Sequence, residues 1–384
     1  MDAVTEGLED REVILAVFLD LAKAFDCVNH DLLADILFSC GIRGLPLLWL
    51  KSYLSDRTQQ VCVSDDLSES LSLKCGVPQG SILGPVLFLI YVNKLNAFIR
   101  AGSLVQFVDD TNLCFRAKTK AAVEIQAFVQ TNSCVQHFQN LNLRTNSSKS
   151  KSMVFKLGTS QDPYTPAVMV VEDIIDEVDH IKYLGIETDN KLNWSFYIEN
   201  ICRIVSSGIF LLRSLSDYCD ISILKSTYYG VIFPHICYGI ILWGGCGNVH
   251  FQRIFVLQKK AIRIIANLNY RDSCREVFRD YGFLTLPCIY IYEMLVYCVS
   301  KMKLTQGSDI HGINTRHRNV FRQNSHRLEV SSRLPAQAGV RMLNQLPDDV
   351  RRYVDFPKLF KTHLKRFLVQ NAFYSVDEFM EYNK

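Results

Sequence analysis

An α+β fold is expected of this 384-residue chain on three observations. β-prone runs occupy its first third, at Val13–Leu19 and on either side of an Asp109-Asp110 pair. Apolar residues recur at spacings of three and four through its middle: Ile198, Ile201, Val205, Ile209 and Leu212, then Phe251, Ile254, Leu257, Ala261 and Ile265. The 48% hydrophobic content can fill large cores, and two or three domains are expected at this length.

The first run, Val13-Ile-Leu-Ala-Val-Phe-Leu19, is apolar throughout and bounded by charge, as expected of a strand covered on both faces. Asp20 terminates it, and ligands collect at strand ends. A helix-like stretch follows over about 29–40, closed by Gly41. Next comes Gly76-Val-Pro-Gln-Gly-Ser-Ile-Leu-Gly-Pro85, whose glycines and prolines punctuate a loop entering an apolar, helix-length stretch over 86–99. With no Cβ at Gly76 and Gly80 a ligand can approach the backbone, and Gln79 offers two donors and an acceptor. By itself this segment reads equally as a turn capping a core helix.

In Leu104-Val-Gln-Phe-Val-Asp-Asp-Thr-Asn-Leu-Cys-Phe115, two acids stand where a hairpin must turn. Asp-Asp in a turn is usually a solvated loop tip. Here the neighbouring carboxylates repel, a divalent cation with oxygen ligands would relieve that repulsion, and Asp20 supplies a third acid from a strand end. Such a set could hold two Mg²⁺ ions for in-line phosphoryl transfer, one activating the attacking oxygen and one stabilising the leaving oxygen.

These segments, with Phe18-Leu-Asp-Leu-Ala-Lys-Ala-Phe-Asp26, Ser52-Tyr-Leu-Ser-Asp-Arg-Thr-Gln-Gln-Val61 and Phe107-Val-Asp-Asp-Thr111, resemble in order and content the palm motifs of reverse transcriptases. The likeness is greatest to the non-LTR (LINE-type) retrotransposon enzymes of the jockey and CR1 groups. Downstream, Asn142-Leu-Arg-Thr-Asn-Ser-Ser-Lys-Ser-Lys-Ser-Met-Val-Phe155 resembles that family's next motif, and Tyr183-Leu-Gly185 with Leu192-Asn-Trp194 resembles its primer-holding hairpin. The resemblance implies that Asp20, Asp109 and Asp110 bind the metals, assisted by the Leu21 carbonyl. It makes Phe25 the steric gate against a 2′-hydroxyl, places Gln79 and Gly80 on the base and template side, and makes Lys149 a proton donor to pyrophosphate. Without it, Phe25 reads as a core aromatic and Lys149 as a solvated loop lysine.

The sequence also departs from the family. Val108 stands where alanine is usual, which is expected to alter geometry and fidelity; Thr145 and Ser150 replace the usual leucine and threonine around Lys149, and Tyr197 stands where histidine is common. Nineteen residues precede Asp20, with Arg11 their only Lys or Arg, so the fingers region that grips the triphosphate and the upstream endonuclease are expected to be missing. On that basis the chain is expected to bind template–primer weakly and to add little or no nucleotide. A catalytically inactive, degenerate or co-opted nucleic-acid-binding remnant is the alternative function, which would keep binding without nucleotide addition.

Charge is unevenly spread around a net +3: residues 1–110 carry 8 Lys/Arg against 15 Asp/Glu, and residues 301–370 carry 14 against 5. An acidic part that concentrates cations is thus joined to a basic one that could track phosphates. In the middle helices Arg253, Lys259, Lys260 and Arg263 interleave with the apolar positions and are expected to lie along a duplex backbone. The 13 cysteines include no Cys-x-x-Cys pair, which argues against a disulfide scaffold and a zinc site. The apolar run over 228–243 is interrupted by Pro234 and His235, no signal peptide opens the chain, and a soluble intracellular protein with no membrane partner is expected. By family, a nuclear location with a cytoplasmic ribonucleoprotein stage is expected.

The organisation expected is a right-hand polymerase: an α+β palm over 1–190 ending in the primer-grip hairpin of Tyr183, Leu184 and Gly185, a helical thumb over 191–304, and a small basic C-terminal region over 305–384. Linkers are expected over 157–166, with its Gly, Thr, Ser and Pro content, and over 305–315. The function expected is RNA-directed DNA synthesis with two Mg²⁺ ions, an RNA template, a DNA primer or target and deoxynucleoside triphosphates; sequence leaves the oligomeric state open.

Overall fold

The computed structural model describes residues 1–156, 166–305, 320–323 and 325–382. Apart from their end residues, the two expected linkers lie outside the described residues, as do Arg316 and Arg318 of the basic tail. The chain divides into two compact units, Met1–His180 and Ile181–Lys384.

The first unit is built on a five-stranded sheet in which β1 (Val13–Leu19) is central. Its neighbours are β3 (Asp110–Ala117) and β4 (Lys151–Phe155); β2 (Ser103–Phe107) pairs outside β3, and β5 (Asp176–Glu177) outside β4. Every pairing is antiparallel except that of β5 with β4. The uniformly apolar β1 is covered on both faces as expected. Helix α1 (Asp2–Glu9) packs against it and β3 on one side. On the other, Leu15, Val17 and Leu19 join Leu33 and Leu37 of α2 (His30–Ser39), Phe88 and Tyr91 of α4 (Leu83–Val92), and Val123 and Phe138 of α5 (Lys120–Asn140). Helix α3 (Leu45–Leu54) lies beside α2.

Local chemistry sets the helix ends. The Asn29 side chain accepts from the Leu32 N–H and starts α2, and Thr119 does the same for α5 through Ala122. Helix α4 begins earlier than the apolar stretch suggested, because Pro85 fits in a first turn whose N–H groups have no partner, and beyond Val92 the chain tightens into a 3₁₀ turn over Asn93–Ala97.

The second unit opens on a hairpin of β6 (His180–Tyr183) and β7 (Ile186–Asp189), followed by α6 (Ser195–Ser216), α7 (Asn248–Ile265), α8 (Leu286–Lys301) and α9 (Pro357–Asn371). Both predicted apolar stripes, Ile198 to Leu212 on α6 and Phe251 to Ile265 on α7, turn into one core, with Leu257 only partly buried. By length and hydropathy α6 could cross a membrane, yet that stripe makes it the core helix of this unit. Leu343, Phe360, Leu364 and Phe379 belong to the same core, so the C-terminal segment packs with the helices that precede it. Ahead of Pro234 the chain widens into a π turn over Tyr228–Ile232, which accommodates a ring that would clash in a regular helix. All 13 cysteines are free thiols.

Candidate active site

The register of β1 on β3 sets the acids. Phe18 lies opposite Asn112 and Leu19 opposite Thr111, so Asp20 leaves the ladder at the end where Asp110 begins β3. Phe107 pairs with Asp110, which leaves Val108 and Asp109 as a two-residue turn. Val108 sits at φ 58, the left-handed region that a β-branched residue adopts at a cost of about 1–2 kcal/mol. Positive φ at the first turn residue alone is the type II′ pattern, matched to the right-handed twist of the strands.

The carboxyl of Asp110 is pushed up from the usual aspartate range, first by burial, then by the charges of Asp109 and Asp20. Asp110 thus lies within electrostatic reach of the two other acids expected from sequence to act with it. Among the described residues no three His, Cys, Asp or Glu side chains stand as a closed set of metal ligands. The three carboxylates Asp20, Asp109 and Asp110 form an all-oxygen donor set of the kind that suits a hard ion such as Mg²⁺.

A turn 126 residues further along the chain holds Asp20 in place. The Asp20 carbonyl accepts from the Asn146 N–H at 2.8 Å, and the Asp20 N–H donates to Ser150 Oγ at 3.2 Å. Ser150 is fully buried and donates in turn to the Asn146 carbonyl at 2.8 Å. Ser150 is thus a positioning group that sequence reasoning treated only as a substitution. The exposed Lys149 rides on this turn next to Ser150. Leu21 is buried, and its backbone pairs with Thr145 in a two-residue ladder.

The 76–80 loop is clamped to the segment after Asp20. Val77 N–H donates to the Phe25 carbonyl at 2.9 Å, Gly76 N–H to the Val28 carbonyl at 2.8 Å, and His30 Nε2 to the Gly76 carbonyl at 2.7 Å. A carbonyl only accepts, so that imidazole nitrogen carries the proton. Gly76 sits at φ +92, and a Cβ there would lie 3.0 Å from the Asp26 carbonyl oxygen, so only glycine fits. The half-buried Phe25 ring stacks on Phe88 at 4.7 Å. Gln79 and Gly80 are exposed at the loop tip, where Gln79 Nε2 donates to Asp26 Oδ1 at 2.9 Å. Asp26 and His30 were missed as partners; the signal was their place in the short polar stretch after Asp20.

In the second unit Leu184 (φ 48) and Gly185 (φ 80) form a type I′ turn between β6 and β7, with Tyr183 as the last residue of β6. The Tyr238 hydroxyl donates to the Leu184 carbonyl at 2.6 Å. Buried Asp189 then accepts from the N–H groups of Lys191, Asn193 and Trp194, at 3.0, 3.0 and 2.7 Å, and so starts α6. Tyr197, pushed up to about 12 by burial, donates to the Tyr238 carbonyl at 3.2 Å.

The four basic residues of α7 do not share a face. Arg253 and Lys260, two turns apart, line a cavity of about 880 Å³ with Glu199 and Arg203 of α6, and Arg253 pairs with Glu199 at 2.6 Å. Lys259 instead lies over the rings of Phe255 and Tyr374, and Arg263 donates to the Asp272 carbonyl at 2.9 Å.

Residues 5–188 match the family model for reverse transcriptase (RNA-dependent DNA polymerase). The chain is 30% identical to a probable RNA-directed DNA polymerase from transposon BS of Drosophila melanogaster, over 74% of this chain and 32% of that protein. It is 28% identical to the RNA-directed DNA polymerase from mobile element jockey of the same organism, over 72% of this chain and 31% of that protein. It therefore spans about a third of the length of these curated relatives. A solved structure of telomerase from Candida tropicalis with a fragment of telomeric RNA aligns over 78% of this chain and 50% of that one, at 15% identity and a TM-score of 0.36.

Proposed function

We infer that this chain, whose residues 5–188 match the reverse transcriptase family model, belongs to that family and carries out RNA-directed DNA synthesis as part of a non-LTR retrotransposon protein. The primer 3′-hydroxyl attacks the α-phosphate of a deoxynucleoside triphosphate, and pyrophosphate leaves. The observation that carries this reading is the convergence of Asp20, Asp109 and Asp110 at one end of the paired strands β1 and β3, where Asp110 is pushed up first by desolvation and then by the other two charges. Bound divalent ions would supply Lewis acidity at the attacking and leaving oxygens. Two Mg²⁺ ions are the number we propose, held by those three carboxylates.

The remaining residues bind and orient. Phe25, backed by Phe88, stands five positions after Asp20 and sets a wall against a 2′-hydroxyl. Gln79 and Gly80 present the loop tip to the base and template side, and Leu21 contributes its backbone carbonyl. Lys149, on the turn that also holds Asp20, hands a proton to the departing pyrophosphate. The hairpin of Tyr183, Leu184 and Gly185 holds the primer end, and α6 with α7 forms the thumb. There Lys260 and Arg253, the latter paired with Glu199 at the cavity wall, face phosphates, whereas Lys259 and Arg263 are committed to contacts with aromatic rings and a backbone carbonyl.

The test is single-nucleotide addition by the 384-residue chain on a DNA primer annealed to RNA, with Mg²⁺ and each deoxynucleotide in turn. Slow addition of the complementary nucleotide is expected, abolished by Asp109→Asn or Asp110→Asn while template–primer binding persists. Addition that survives either substitution, or that ignores the template, overturns the reading.

A further inference from the structure

The Asp26 carboxylate has no part in the mechanism above, yet it accepts a hydrogen bond from the one side chain at the loop tip with mixed hydrogen-bonding capacity. The backbone clamp between 25–30 and 75–79 makes the two segments one rigid piece, further closed by a β-bridge between Asn29 and Cys75. What remains free in Gln79 is its side chain. An exposed glutamine would otherwise turn either end of its amide toward a ligand. A carboxylate only accepts, so Asp26 selects the Nε2 end, and the reverse orientation would set Oε1 against a negative charge. Both side chains line a cavity of about 930 Å³ whose wall also includes Arg57 and Lys74.

We propose that Asp26 is a positioning residue for nucleotide addition: by engaging Nε2 of Gln79 it leaves Oε1 to accept a hydrogen bond from a sugar hydroxyl of the nucleotide substrate. The proposal rests on the reading of the site as a nucleotide-adding one. The hydroxyl has two possible sources, the 3′-hydroxyl of the incoming nucleotide or the 2′-hydroxyl of the RNA template.

Binding without chemistry separates these. The full chain is loaded with a template–primer whose primer ends in a dideoxynucleotide, then titrated with the complementary deoxynucleoside triphosphate in Mg²⁺, on RNA and on DNA templates of one sequence. Asp26→Ala is expected to weaken one step by about 3- to 10-fold, the size of one hydrogen bond. If the incoming nucleotide is the donor, the triphosphate affinity falls on both templates; if the template is, the preference for RNA over DNA shrinks. In a Gln79→Ala background Asp26→Ala should then change nothing further, because it acts through that amide. Unchanged affinities in Asp26→Ala, or an equal loss in the Gln79→Ala background, overturn the proposal alone. Failure of the unsubstituted chain to form a ternary complex overturns the reading beneath it, and the proposal with it.

Discussion

Asp110 carries opposite demands from folding and function. Its carboxyl is raised by burial and by Asp109 and Asp20, so ionising it costs the metal-free fold stability. That cost is fully present above the raised value and disappears as pH falls through it. Asp110→Asn should therefore raise the Tm of the metal-free protein at neutral pH, and the gain should shrink as pH drops into the carboxylate range. Saturating Mg²⁺ should raise the Tm of the unsubstituted chain more than that of the variant. Equal Tm values at neutral pH would remove the electrostatic argument. Phe25→Val should relax discrimination against ribonucleotides, with a stability loss of about 0.5–1.5 kcal/mol from the lost stack on Phe88. An unchanged ratio of ribonucleotide to deoxynucleotide incorporation would make Phe25 a core residue only. The acids were legible in sequence because residue type and strand-end position sufficed. The grip of Ser150 on Asp20 was not, since it spans 130 residues and depends on the fold bringing that turn back to the end of β1.

Elements were legible where local chemistry decides them. Val13–Leu19 is the strand expected and Asn29 caps α2, while the hairpin expected at the Asp-Asp pair turns one residue earlier, on Val108 and Asp109, with Asp110 already in β3. Interleaving misled on α7: at 100° per residue, Arg253 and Lys260 face one side while Lys259 and Arg263 face another, which a list of basic positions hides. Two substitutions test the connections between elements. Gly76→Ala forces a Cβ against the Asp26 backbone at positive φ and should cost about 1–3 kcal/mol in urea unfolding, and nucleotide addition should fall with it. A substitution without effect on stability would mean the clamp between 25–30 and 75–79 is loose. Asp189→Ala strips the acceptor from three backbone N–H groups ahead of α6 and should lower stability by about 1.5–3 kcal/mol, with Asp189→Asn recovering part of it. A melting curve that does not move would count against that cap.

At the scale of the whole molecule, the α+β character and the helical second half follow from the change in apolar period along the chain. The shared core of the second unit was harder to see. Leu343 and Phe379 sit on helices of six residues, Phe360 and Leu364 share α9, and the positive charge of 301–370 makes most of this segment read as a solvated tail. The division into units at His180 and Ile181 falls within β6, where no composition change marks it. The central claim is that Asp20, Asp109 and Asp110 form one divalent-metal seat, and a spin-label-free titration tests it without requiring turnover. Mn²⁺ binding to the full chain, loaded with a dideoxy-terminated template–primer and the complementary triphosphate, is followed by electron paramagnetic resonance. The account predicts saturable Mn²⁺ binding that Asp20→Asn, Asp109→Asn and Asp110→Asn each weaken at least tenfold, roughly 1.4 kcal/mol or more. Binding of equal strength and stoichiometry in all three variants would contradict it.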